Sequence, residues 1–317
     1  MGRFDTLDKR IDIIQKVVEK ENDLNFDKSA QELVSILENE SEMFIDSKIL
    51  ELGDSKDIIF YEQIGEYDEQ KMIQVLTEAM DFSVYKEFEI VVFVHSIEEK
   101  FKVIDNVKPE IEKYIRKNKK SKKILEFSTS FVGQEEKQIS SVAIDSAIKI
   151  NKYSHKRTGA AGEVYNANLF DLVELYNVIG DSLFRDNVRK KIENMLEVDT
   201  EILKTLRENP DNFWFFNNGV TLMICKDCIS QRREYQLDIN VDDKAELSII
   251  NGAQTISIAA QYYYRLKNDI EKDKDNEELV EQLKNAKDTK VLLRVIKKDK
   301  TEENSDFYKE ISVSLNR

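Results

Sequence analysis

Apolar positions recur at helical spacing early in the chain, at Ile11, Ile13, Ile14, Val17 and Val18, and again at Leu33, Val34, Ile36 and Leu37. The period then changes. Met43-Phe44-Ile45 opens a strand-like run through Leu52, Gly53-Asp54-Ser55-Lys56 reads as a turn, and Ile58-Ile59-Phe60-Tyr61 opens a second strand. A helical pattern follows from Glu69 to Met80. The continuous apolar run from Phe88 to Val94 predicts a strand buried on both faces. Pro109 sits near the start of a predicted charged helix that ends about Lys120, and Ile124 to Phe131 alternates like a strand. This order predicts a small α/β domain over residues 1–136, closed by the polar stretch Gly133-Gln134-Glu135-Glu136-Lys137.

A second, mixed α+β domain is expected over 137–317. Phe170 to Tyr176 opens a helix, Asn187 to Leu206 continues in helical pattern, and Asn209-Pro210-Asp211 stops it. Strands are predicted at Val220–Cys225, Tyr235–Val241 and Glu246–Ile250. A helix runs from about Ala253 into Lys267, a solvated charged helix fills 267–290, Val291–Ile296 forms a last strand, and Phe307–Leu315 one more helix.

Composition narrows the function classes. The 48 basic and 62 acidic side chains leave a net charge of −14, which argues against a general nucleic-acid coat built on Lys and Arg. With 41% apolar residues a real core can be buried despite 35% charge, and only nine glycines and two prolines favour long helices over a many-turned β sandwich. No run approaches the length of a membrane span, so no membrane partner is expected, and the charged start reads as no secretory signal. Two cysteines make no disulfide framework, which points to a reducing cytoplasm.

Two segments carry candidate chemistry. Asn217-Asn218-Gly219 lies between Phe213-Trp214-Phe215-Phe216 and Val220-Thr221-Leu222. Asn-Gly between apolar runs is a hairpin signal, because both residues tolerate positive φ. The second amide beside four aromatics can equally face a polar ligand. Asn251-Gly252-Ala253-Gln254-Thr255 joins a strand to a helix, where backbone N–H groups and the positive helix end favour an anion, or where the helix is simply capped. The Gly-x4-Gly-Lys spacing of a P-loop is absent.

Together, Phe213-Trp214-Phe215-Phe216-Asn217-Asn218-Gly219-Val220-Thr221 and Ile249-Ile250-Asn251-Gly252-Ala253-Gln254-Thr255 resemble the paired signatures of the AIPR family, the abortive infection phage resistance proteins. Leu183-Phe184-Arg185-Asp186-Asn187-Val188-Arg189 and Ala160-Ala161-Gly162-Glu163-Val164-Tyr165 are similar to the family's upstream segments. The resemblance covers roughly 140–317 and stops at Leu315-Asn316-Arg317, where family members usually continue, so the chain looks shortened. It implies antiviral defence, a phage-derived trigger, and a nucleic acid or nucleotide as partner of the second domain. The residues it marks for a ligand are Asn187, Arg189, Asn217, Asn218, Gly219, Asn251, Gly252, Gln254 and Thr255. A non-catalytic sensor or interaction module stays open beside that reading.

The resemblance also implies a restriction-endonuclease-like first domain. Such domains set an acidic residue on one strand and Glu-x-Lys on the next, to hold a divalent metal such as Mg2+ and activate water. The catalytic candidates here are Asp46 or Asp57 with Glu62. Glu62-Gln63-Ile64 has Ile where the lysine belongs, so the expected site is degenerate, with Lys48 of Asp46-Ser47-Lys48 as a substitute. The basic runs Arg116–Lys123 and Arg185–Lys191 are the local candidates for phosphate contact. Cys225-Lys226-Asp227-Cys228 has CxxC spacing but no second ligand pair, and only His95 and His155 remain, which reads as incidental. His155 is expected in an exposed loop and His95 as a structural residue at the end of a strand.

Overall fold

The computed structural model describes residues 48–52, 56–63, 66–82, 87–118, 122–133, 141–145, 147–154, 160–187, 196–233, 236–241, 247–298 and 305–315. The helices expected before residue 40, Asp46, His155 and Arg189–Lys191 lie outside them. The chain divides into two compact units, Met1–Glu136 and Lys137–Arg317.

In the first unit, β1 (Lys48–Leu52) and β2 (Lys56–Glu62) form an antiparallel hairpin, and β3 (Glu87–Val94) and β4 (Lys123–Phe131) add in parallel, in the order β1-β2-β3-β4. The two parallel steps each need a helical crossover. The first is α1 (Glu69–Phe82), which buries Met72, Leu76, Ala79 and Met80 as one helical stripe. The second runs as α2 (Ile97–Lys102), a π-helical turn (Val103–Val107) and α3 (Lys108–Asn118). α3 continues directly from the π-helical turn, and Pro109 is its second residue, near the start as expected. Its ring cannot donate to Asp105 and would clash with that carbonyl, and the wide turn at Val103–Val107 accommodates it. β3 is buried from Phe88 to Val94, as its unbroken apolar run predicts. The four-strand order does not by itself establish the endonuclease-like scaffold, since one sheet hosts many chemistries.

The second unit opens with three strands that the pattern did not announce: β5 (Ser141–Asp145), β6 (Ile148–Ser154) and β7 (Ala161–Asn168). α4 (Leu169–Ile179) follows, N-capped by the Asn168 side chain, which accepts from Phe170 N at 3.0 Å. α5 (Leu196–Glu208) leads through a turn at Pro210–Asn212 into the short α6 (Phe213–Phe216). The remaining strands are β8 (Val220–Cys225), β9 (Ile229–Arg233), β10 (Gln236–Asn240), β11 (Leu247–Asn251) and β12 (Lys290–Lys298). α7 (Ala253–Lys272), α8 (Glu277–Asp288) and α9 (Ser305–Leu315) complete it.

The boundary expected near Lys267 lies later: α7 runs on to Lys272 and α8 starts at Glu277. Asn276 starts α8 by accepting from Leu279 N at 3.2 Å, and Tyr263 OH donates to Ala286 O at 2.9 Å to hold α8 on α7. The strands form a three-stranded sheet, β5-β10-β9, and a five-stranded sheet, β11-β8-β12-β7-β6. The late strand β12 enters the middle of the larger sheet, parallel to β8 and antiparallel to β7. One face of that sheet buries Tyr165, Leu293, Leu222 and Ile249. On the other face α9 covers Met223, Ile250 and Ile296 with Tyr308, Phe307, Ile311 and Leu315.

Candidate functional site

The two glycine-bearing segments, far apart in sequence, meet on neighbouring strands. β8 and β11 pair antiparallel with Asn251 opposite Thr221. Gly219, at φ +81°, leads into β8, and a Cβ there would lie 2.6 Å from the Leu292 carbonyl oxygen of β12. Gly252, at φ +92°, joins β11 to α7, and a Cβ there would lie 3.0 Å from Gly219 O and 3.0 Å from Val220 Cγ2. Both glycines are needed for positive φ and for close backbone approach. There is no Asn-Gly hairpin, because the aromatic run before Asn217 is helix α6 rather than a strand. Instead Asn217 Oδ1 accepts from Gly219 N at 2.9 Å in an Asx turn, and Asn217 Nδ2 donates to Thr255 Oγ1 at 3.2 Å.

The other amides are also bonded within the protein. Asn251 Nδ2 donates to Leu315 O at the end of α9, at 2.7 Å. Buried Asn187 reaches Ile249 O at 3.5 Å. Next to it Asp186 N donates to Ser248 Oγ at 3.1 Å, and Ser312 Oγ donates to Asp186 O at 2.6 Å. Hence Asn187, Asn217, Gly219, Asn251, Gly252 and Thr255 come together as one knit body around β8 and β11. Asn218 stands exposed, and Gln254 is half-buried in the first turn of α7. Immediately before them Phe215 and Phe216 are 73% and 70% exposed, although Phe213 of the same turn is buried. This exposed pair was not singled out from the sequence; a four-aromatic run on a four-residue helix must leave part of itself outside.

Of the catalytic candidates in the first unit, Glu62 is the one whose side chain is described. Asp57 and Glu62 both lie on β2, five residues apart. Glu62 is fully buried at the carboxyl end of β2, and His95 Nε2 lies 2.8 Å from its Oε1. His95 follows β3, whose parallel register sets Phe93 beside Glu62. Ser96 Oγ accepts from Glu99 N at 3.1 Å, and Glu99 reaches back to accept from His95 N at 2.7 Å, so a Ser-x-x-Glu box starts α2 and orients the histidine. That spacing was readable in advance. A cleft of about 610 Å³ lined by Gln63, Tyr67, Lys102 and Asn106 lies in the same unit. Among the described residues no group of three or more His, Cys, Asp or Glu side chains is placed to hold a metal ion.

The basic runs are partly engaged. Lys122 Nζ donates to Met80 O and stands 5.9 Å from the Phe88 ring, Lys123 lies 3.9 Å from Glu87, and Arg185 lies 3.9 Å from Asp186. Cys225 and Cys228 are buried free thiols.

A buried carboxylate in the second unit has a separate role. Glu163 on β7 is met by Lys297 at 2.9 Å, by Lys149 at 3.2 Å and by the Tyr165 hydroxyl. Burial raises its pKa, but these hydrogen bonds outweigh that and hold it lowered to about 2. Asp171 on α4 goes the other way. Burial, with Asp145 and Glu174 nearby, raises it to about 6 against the Asp145 N–H, which donates at 2.8 Å.

No helix among the described residues is long and apolar enough to cross a membrane. No curated protein and no solved structure matches the chain. Residues 184–317 match the family model described as AIPR protein. The matched stretch contains Phe184–Arg189 and both glycine-bearing segments, and leaves Ala160–Tyr165 outside it. Over residues 184–317 the chain thus matches the AIPR family, the abortive infection phage resistance proteins.

Proposed function

We propose that the chain serves antiphage defence by binding nucleic acid or a nucleotide in its second unit, at the surface made by Phe215, Phe216, Asn218 and the first turn of α7. The observation that carries this reading is the pair of exposed phenylalanines one residue from Asn217, which is itself bonded to Thr255 of α7. Aromatic faces held on a clamped turn suit base stacking, worth roughly 1–3 kcal/mol per base. The first-turn amides of a 20-residue helix suit a phosphate. Asn218 is the exposed side chain for contact, while Asn217 and Asn251 hold the surface in shape.

Thermal-shift titration with single-stranded DNA, single-stranded RNA and nucleotides, with and without Mg2+, tests the proposal. Stabilisation that disappears in a Phe215→Ser/Phe216→Ser variant, together with loss of phage protection in cells, is the expected result. No stabilisation by any of these ligands would reject it.

A second reading, a sensor or protein-interaction module without catalysis, is favoured by Glu62, whose carboxylate is engaged with His95 at 2.8 Å. If defence survives both Asp46→Ala and Glu62→Gln, the first unit does not act as a nuclease.

A further inference from the structure

β6 is an edge strand whose surface differs from the rest of the second unit. Among the described strands it pairs with β7 alone. Ile148, Ile150 and Tyr153 are 46%, 55% and 68% exposed on it. Three large apolar side chains on seven residues of a sheet edge are unusual, because exposed edges template further pairing and are normally blunted. Residues 148–157 also carry four basic side chains, Lys149, Lys152, Lys156 and Arg157, and no acidic one, in a chain of net charge −14.

Charge decides what fits. A second copy pairing antiparallel through the same strand would bring its own lysines near Lys149 and Lys152, and two strongly acidic chains repel one another. The register shift between Lys149 and Asn151 leaves Ile150 without a β7 partner, a further obstacle to flat self-pairing. An acidic strand would instead meet Lys152 as a counter-charge, and a short one can pair beyond the shift. Beyond the shift, Asn151 to Ser154 run in regular register with β7, and Lys152 N donates to Asn151 Oδ1 at 2.7 Å, a local bond that an incoming strand carbonyl would replace. Lys149 is held by Glu163 at 3.2 Å, so Lys152, exposed on this edge, is the side chain best placed for a partner carboxylate. Aliphatic Ile148 and Ile150 suit alternating side chains of an extended peptide rather than stacked bases.

We propose that the β6 edge takes up an acidic, extended peptide segment by strand addition. The main chain of Asn151–Ser154 supplies the ladder, Ile148, Ile150 and Tyr153 the apolar contact, and Lys152 the selection for acid. This is independent of the nucleic-acid surface at Phe215 and Phe216.

The test uses the full chain and a fluorescein-labelled short peptide alternating Glu with Val, read by anisotropy. A peptide alternating Lys with Val and an oligo-dT strand serve as rival probes. The Glu peptide is expected to bind, to weaken with added salt, and to weaken about tenfold in Lys152→Glu. Ile150→Thr, which keeps a β-branched residue in the strand, is expected to weaken it several-fold. Unchanged thermal unfolding confirms that the variants fold. Equal binding of both peptides, binding of oligo-dT that Lys152→Glu abolishes, or a dimer in sedimentation that Lys152→Glu alters, would each overturn the proposal.

Discussion

The two flanks of the five-stranded sheet use polar side chains in opposite ways. On the β11–β8 side nearly every amide and hydroxyl that can bond is turned inward: Asn217 to Gly219 and Thr255, Asn251 to Leu315, Ser248 and Asp186 to each other. On the β7–β6 side a single buried carboxylate, Glu163, draws Lys149 and Lys297 in, and the outermost strand is left with apolar side chains facing water. The first flank is closed and depends on backbone approach. The second depends on one charge cluster, and its edge is open. Signature residues can therefore be structural first, and an open surface can lie where no motif points.

Breaking the closed flank should have the largest effect. Gly219→Ala sets a Cβ 2.6 Å from a backbone carbonyl that cannot rotate away, at a positive φ, and should cost roughly 2–4 kcal/mol in denaturant unfolding. Gly252→Ala meets Gly219 O and Val220 Cγ2 at 3.0 Å, also at positive φ, and should cost roughly 1–3 kcal/mol. A Gly252→Ala chain as stable as the parent would mean that the two segments are not held as close as described.

The charge cluster comes next. Glu163→Gln leaves two lysines without their common carboxylate and should cost roughly 2 kcal/mol near neutral pH. Because the folded pKa lies below the ordinary 4.5, the stability Glu163 contributes is present above that value and is lost as pH falls toward about 2. The Glu163→Gln variant should lose that part of the acid limb of a stability–pH curve. Asp171 has the opposite sign. Its folded pKa, raised from 3.8 to about 6, makes its contribution favourable at low pH and lost as pH rises through about 6. Asp171→Asn should therefore stabilise the protein at pH above that point, on the order of 1 kcal/mol. A parallel response of both variants to pH would contradict the assignment.

The smallest effect belongs to the open edge. Lys152→Glu and Ile148→Thr should change unfolding free energy by no more than about 0.5 kcal/mol, since neither side chain is packed. A larger loss would show that β6 is held from outside and that the contrast between the flanks is false.

Much of the element order was legible in the pattern. The apolar run at Phe88–Val94 became a fully buried strand, and the period at Glu69–Met80 became α1. The strands β5 to β7 were not legible. β7 reads Ala-Gly-Glu-Val-Tyr-Asn-Ala-Asn, poor in β-branched residues, and its Glu163 is buried only because lysines from β6 and β12 reach it. The break between α7 and α8 was placed too early because Asn276 acts through a cap rather than through apolar period. Of the candidate site, Gly219 and Gly252 were found as glycines where turns need them, but their contact with each other was not visible, and neither was the inward bonding of Asn217 and Asn251.

Local chemistry alone established the periods, the glycine turns, the acidic balance and the family signatures, because each rests on residues near in sequence or on a count. Tertiary structure decided which of those residues face one another. Whether an asparagine side chain meets a ligand or a main-chain carbonyl depends on strands brought together from β8, β11, β12 and α9. It decided too that Glu62 meets a histidine, since a parallel crossover brings His95 to the strand end that Glu62 occupies.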